Sequence, residues 1–118
     1  MILKSNSIYE YASVNWIMRF HNYYVYIITN KTKTVLYVGL TNDLAIRLQQ
    51  HIEHENPLSF TAKYKCHYLL YYEHYQYVNE AIAREKEIKG WSRGKKNALI
   101  EAENKEWKFL NDEIIEDQ

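Results

Sequence analysis

Two tyrosines, an arginine, a histidine and a glutamate are the residues of this chain whose types and spacing could do chemistry. Tyr26 and Tyr37 sit in two short β-branched and aromatic runs, "YYVYII" and "VLYVG", separated by the polar stretch "TNKTKT". A turn centred between Lys31 and Thr32 would set the two phenols directly opposite each other, with Cβ atoms about 5 Å apart on one face. In "DLAIRLQQHIEHE", Arg47 and His51 are four residues apart and share one edge of a helical stripe formed by Leu44, Leu48 and Ile52. In "NEAIAREKEIKG" a helical projection at about 100° per residue puts Val78, Ala81, Ile82 and Ile88 on one side, with Glu85 among them. Glu80 and Glu87 fall on the opposite, solvated side. A carboxylate in an apolar stripe is costly unless paired, hydrogen-bonded or bound to a cation. Two roles fit Glu85: an ion pair with Lys89 at the helix edge, or a metal ligand on a recessed face.

The elements that must position these groups follow from the same patterns. The two tyrosine strands are succeeded by a helix starting near Asp43 with Thr41 or Asn42 as cap, and Pro57 marks its end or the loop beyond. "KCHYLLYYEHYQY" reads as a third strand. Asn79 is the expected cap of the next helix and Gly90 its end. Ser92 opens a last helix reaching roughly Glu103. The fold expected is therefore of the α/β (α+β) class, a small three-stranded antiparallel sheet flanked by helices in the order β-β-α-β-α-α.

With 118 residues and 47% hydrophobic content, the chain suits one domain with one modest core. No apolar run approaches the roughly 18 residues needed to span a bilayer, so no membrane association is expected. The first twenty residues lack the apolar stretch of a secretory signal. A single cysteine, Cys66, offers neither an internal disulfide nor a zinc cluster, and a cytoplasmic location is the simplest expectation. The net charge of zero hides a gradient: residues 101–118 hold seven acids against two bases. Residues 84–96 hold six bases (Arg84, Lys86, Lys89, Arg93, Lys95 and Lys96) against two acids, a distribution suited to phosphate or to a solvated helix surface.

The ordered combination of these motifs resembles the GIY-YIG nuclease superfamily, in particular its small single-domain bacterial members and the N-terminal domain of excision-repair endonucleases. The two tyrosine motifs are Tyr24-Val25-Tyr26 and Tyr37-Val38-Gly39. Arg47 and His51 stand at the family's arginine and histidine positions on the first helix, and "AIAREKEIKGWSRGKKNALI" resembles the later segment that carries the family's glutamate, here Glu85. An asparagine twelve residues beyond it in some members corresponds to Asn97. Tyr24 and Val25 replace Gly and Ile of the first motif, and Leu40 stands where repair members carry a lysine that contacts phosphate.

The resemblance implies a division into an N-terminal extension (1–21), a nuclease domain (22–110) and an acidic C-terminal tail (111–118). It further implies a metal-dependent endonuclease acting on DNA, structure- or damage-directed as in DNA repair, with low sequence specificity. Glu85 would hold one divalent ion, Mg²⁺ or Mn²⁺, and Arg47 would bind the scissile phosphate. Tyr26 would act as general base, with Tyr37 positioning and His51 relaying the proton. Arg84, Lys89, Arg93, Lys95, Lys96 and Asn97 would contact the nucleic acid. The alternatives are a non-catalytic nucleic-acid-binding module on the same scaffold and a protein-interaction domain.

Overall fold

The structure, a computed structural model, describes residues 22–54 and 56–115. The extension expected over residues 1–21 lies outside the described residues.

Three strands, β1 (Tyr23–Thr29), β2 (Leu36–Thr41) and β3 (Tyr68–Tyr75), form an antiparallel sheet in the order β2-β1-β3. Helix α1 (Leu44–Glu53) follows β2, and α3 (Val78–Lys89) and α4 (Arg93–Glu103) follow β3. This is the expected α+β fold and the expected β-β-α-β-α-α order, with two short helices added: α2 (Phe60–Lys63) and α5 (Asn111–Ile115). Four or five residues are too few to show a helical period in a sequence.

The central strand β1 is buried without a break from Val25 to Thr29, because both faces of the sheet are covered. Strand alternation divides its side chains between two cores. Val25 and Ile27 meet Val38, Leu70, Ala81, Ile88 and Ile100 on the side of α3 and α4. Tyr26 and Ile28 meet Leu44, Leu48, Cys66 and Leu69 on the other side, where Ile114 and Ile115 of α5 also pack.

The β1–β2 register differs from the expected one by two residues. Tyr26 pairs with Gly39 and Tyr37 pairs with Ile28, so the phenols are diagonal neighbours on one face rather than directly opposed. The loop is longer than a four-residue turn, and the Asn30 side chain organises it. Its Oδ1 accepts from the backbone N–H groups of Thr34 and Val35, and its Nδ2 donates to the hydroxyls of Thr32 and Thr34. Arg93, from the distant helix α4, clamps the same loop by donating to the carbonyls of Lys33 and Thr34.

Caps follow local chemistry with two corrections. Asp43, rather than Thr41 or Asn42, caps α1 by accepting from the N–H of Ile46, while the Thr41 hydroxyl accepts from the N–H of Asp43. Helix α3 begins one residue before Asn79, with Tyr77 at its cap and no capping side chain. Ser92 caps α4 and Gly90 ends α3 as expected.

The β1–β3 ladder carries a bulge that leaves Leu70 outside the pairing. Its carbonyl is taken by the Nδ2 of buried Asn104. Beyond it the chain folds back along β3. Leu110 N–H donates to the carbonyl of Leu69, and the Asn111 carboxamide bonds both the N–H of Leu69 and the carbonyl of His67. The described part of the acidic tail, residues 111–115, is thus packed on the domain. No helix among the described residues is long and apolar enough to cross a membrane.

Candidate active site

The side of the sheet that carries Tyr26 and Tyr37 faces α1, and the site is assembled there. Tyr26 is 1% exposed, and its ring lies across the backbone of β2 at Gly39. Its hydroxyl is 2.9 Å from His51 Nε2 and accepts from Arg47 Nε at 3.4 Å. Arg47 and His51 reach the phenol together because a spacing of four residues stacks them on one face of α1. Leu44 and Leu48 anchor that helix to the core beneath.

His51 is buried, and its second nitrogen, Nδ1, lies 3.1 Å from the hydroxyl of Thr61 on α2. The Thr61 hydroxyl lies 3.2 Å from that of Ser59, the α2 cap. Proton positions follow from acceptor supply. Among the described residues, His51 Nε2 is the acceptor within reach of the Tyr26 hydroxyl, since Arg47 can only donate. Tyr26 therefore donates to Nε2, and the imidazole carries its hydrogen on Nδ1, donating to Thr61. The reverse tautomer would leave a buried phenol hydrogen without a partner.

Electrostatics keep both groups neutral. Burial pushes the Tyr26 phenol up to about 12, against the lowering effect of the Arg47 hydrogen bond and charge, with smaller upward contributions from Tyr37 and Glu85. Burial, then the charges of Arg47 and His67, pull His51 down to about 4.

Tyr37 joins the cluster by ring contact, its centroid 6.0 Å from that of His51. Glu85, on α3, is linked to the cluster through its charge and through Lys89. Its side chain is 18% exposed and pairs with Lys89 at 3.2 Å, and the Lys89 ammonium lies 6.0 Å over the Tyr37 ring. The burial of α3 is narrower than the apolar pattern suggested: Ala81 and Ile88 are buried, whereas Val78 and Ile82 are exposed. Glu85 therefore lies at the border of the buried stripe rather than within it. It makes the ion pair with Lys89, and its charge is felt at Tyr26. A polar cavity of about 270 Å³, lined in part by Arg47, Gln50, His51 and Thr61, opens beside the cluster.

The basic residues of α3 and α4 divide by what they already hold. Arg84 makes a fork onto Glu73, at 3.0 Å from Nε to Oε1 and 2.9 Å from Nη2 to Oε2, and a further bond to Glu87. It also lies over Trp91, as does the Lys95 ammonium at 4.4 Å. Arg93 donates to the β1–β2 loop and to Asn97 Oδ1. The structure therefore does not bring Arg84, Arg93 or Asn97 to the Tyr26 cluster. Lys95 is exposed and Lys96 half-buried. Leu40, at the position noted for its missing lysine, packs against the core on the α3 side.

Four contributors were not legible as such. Thr61, which takes the His51 Nδ1–H, and Ser59 beside it lie in and at the cap of a helix too short to recognise. Gly39 was visible as part of a tyrosine motif, but its role as the floor beneath Tyr26 required coordinates. Gln50, which accepts from Arg47 at 2.9 Å, looked like an ordinary helical polar residue.

Could the site hold a divalent ion? Among the described residues no group of three His, Cys, Asp or Glu side chains converges on one point. Glu85 is a lone, largely covered carboxylate whose present counter-charge is the half-exposed Lys89. That donor set suits a hard cation that keeps most of its waters and takes substrate oxygens, as Mg²⁺ does, and does not suit zinc.

Residues 22–98 match the model of the GIY-YIG catalytic domain, a span containing both tyrosines, Arg47, His51 and Glu85. A UPF0213 protein of Bacillus pumilus is 34% identical over 84 residues, covering 71% of this chain and 84% of that protein. The solution NMR structure of a UPF0213 protein from Bacillus halodurans aligns at a TM-score of 0.49 and 25% identity, over 77% of this chain and 95% of that one. With the domain model spanning well over half its length, the chain belongs to the GIY-YIG family, whose domain is of nuclease type.

Proposed function

We propose that this protein is a metal-dependent endonuclease that hydrolyses phosphodiester bonds of DNA, directed by structure or damage rather than by sequence. The observation that carries this reading is the hydrogen-bonded chain Arg47–Tyr26–His51–Thr61, which gives a buried phenol both a cation and a proton acceptor.

A phenol at about 12 does not ionise unaided at neutral pH. It works here as one member of a relay. As water attacks phosphorus, its proton passes to the Tyr26 oxygen while the Tyr26 proton passes to His51 Nε2. His51 is neutral and thus able to accept, and Thr61 keeps Nδ1–H pointed away so that Nε2 is the free base. Arg47 offers its charged fork to the scissile phosphate and, through Nε, lowers the cost of negative charge on the phenol. Tyr37, whose ring meets that of His51, would orient water or phosphate by its hydroxyl. Glu85 would hold the divalent ion, Mg²⁺ or Mn²⁺, which when bound supplies Lewis-acid stabilisation of the departing 3′ oxygen. Lys89, Lys95 and Lys96 supply backbone contacts of the salt-sensitive, sequence-independent kind, with Arg84, Arg93 and Asn97 shaping the surface that presents them.

The test is nicking of supercoiled plasmid in Mg²⁺ or Mn²⁺ by the wild type and by Glu85→Gln. The wild type should convert the plasmid to open circles and the variant should not. Equal nicking by both, or none by the wild type while DNA still binds, overturns the proposal.

A further inference from the structure

Helix α2 turns two neighbouring residues in opposite directions. Thr61 points inward to His51, while Phe60 remains 47% exposed. Phe60 is not a stray surface hydrophobe. Its ring stacks on Tyr37 at 5.9 Å and 27°, and meets Tyr64 at 4.7 Å, with Tyr64 itself 41% exposed. Tyr37, Phe60 and Tyr64 therefore form a continuous row that begins against His51 and runs outward over the surface. Each end carries an ammonium group: Lys89 lies 6.0 Å over Tyr37 and Lys63 lies 5.3 Å over Tyr64.

We infer that this row binds unpaired nucleobases, so that the strand entering the site is single-stranded or splayed out of a duplex. The inference rests on the nucleic-acid reading of the site and narrows it. Half-exposed aromatic rings stack on bases irrespective of sequence, and the mobile lysine ammoniums over the two end rings can yield to a base and meet the phosphates that flank it. A base-paired duplex offers only base edges and phosphates to such a surface, because its base faces are already stacked on one another. The row is continuous with the Tyr26 cluster through Tyr37, so a base seated on Phe60 lies beside that cluster. It also braces the helix that holds Thr61 on His51.

The experiment is fluorescence anisotropy with labelled oligo-dT, oligo-U and a blunt duplex, in EDTA so that binding is read without cleavage. The variants are Phe60→Ala, Tyr64→Ala and Phe60→Trp. Phe60→Ala should weaken single-strand binding by about tenfold or more, Tyr64→Ala should act in the same direction, and Phe60→Trp should retain binding. Duplex binding should change little. The dT and U arms distinguish DNA from RNA as the source of the unpaired base. If Phe60→Ala lowers the melting temperature, Tyr64→Ala decides. Equal losses on single strand and duplex, no loss on either, or a change of oligomeric state without a change in binding all overturn the inference. A wild type that nicks plasmid yet shows no dependence on Phe60 or Tyr64 overturns the inference and leaves the nuclease reading standing. Single-strand binding through Phe60 without nicking does the reverse.

Discussion

Gly39→Ala tests the geometry of the site with a single methyl group. All positive-φ residues among those described are non-glycine, so Gly39 is not there for backbone freedom. It is there for space. A Cβ at this position would stand 2.8 Å from Tyr26 Cε1 and closer still to Cζ and the hydroxyl. The phenol cannot swing aside cheaply, since it is 1% exposed and tied to His51 and Arg47. Overpacking of this kind costs about 1–3 kcal/mol. If the hydroxyl is dragged from His51, the buried Nε2 loses its partner and about 1–3 kcal/mol more is lost. The sum, about 2–6 kcal/mol, is a large part of the roughly 5–15 kcal/mol that holds a domain together. Urea and thermal denaturation should show it, with a fall in Tm on the order of 10 °C or more. A double-mutant cycle with Tyr26→Ala sharpens the test. That change opens a cavity the Gly39→Ala methyl can enter, so the double variant should be less destabilised than the sum of the singles. Gly39→Ala within about 0.5 kcal/mol of wild type, or strict additivity in the cycle, would refute the argument.

Three further outcomes are expected. Unfolded His51 takes up a proton below about 6.5, whereas the buried imidazole waits until about 4. Between those values the unfolded state binds more protons, so the unfolding free energy should rise with pH across this window and level off above it. In His51→Gln the slope should diminish; identical profiles for the two proteins in urea titrations would show that His51 is not its source. Arg84→Met leaves Glu73, 14% exposed at its side chain, without its cation and, among the described residues, held only by the hydroxyls of Tyr71 and Tyr75, and should cost about 2–3 kcal/mol, less than a fully buried pair. Glu87→Gln removes only an exposed partner of the same arginine and should cost under about 1 kcal/mol by the same denaturation assay.

Local chemistry made much of this molecule readable. The β-branched and aromatic run of β1 announced a strand. The four-residue spacing of Arg47 and His51 placed them together, and the helical projection singled out Glu85 from its neighbours. What stayed hidden was set at long range. The β1–β2 register depends on how Asn30 folds its loop and on Arg93, some sixty residues away, gripping that loop. A turn-centre argument sees neither, so it placed the phenols one rung too close. The exposure of Ile82 and Val78 depends on how α3 sits on the sheet, and a helical projection does not contain that. Thr61, which takes the His51 Nδ1–H, reaches its partner through a loop and a single helical turn without any sequence period.

The carboxamide of Asn111 has a meaning beyond local hydrogen bonding. A border strand such as β3 presents bare amides and carbonyls that can recruit a strand from another molecule. At His67 and Leu69 those groups are already sealed by Asn111 and by the backbone of Leu110. A stretch that looks like a charged appendage in the sequence is therefore the rung that finishes the sheet. Shortening the chain ahead of it would leave an adhesive rim on which copies could polymerise.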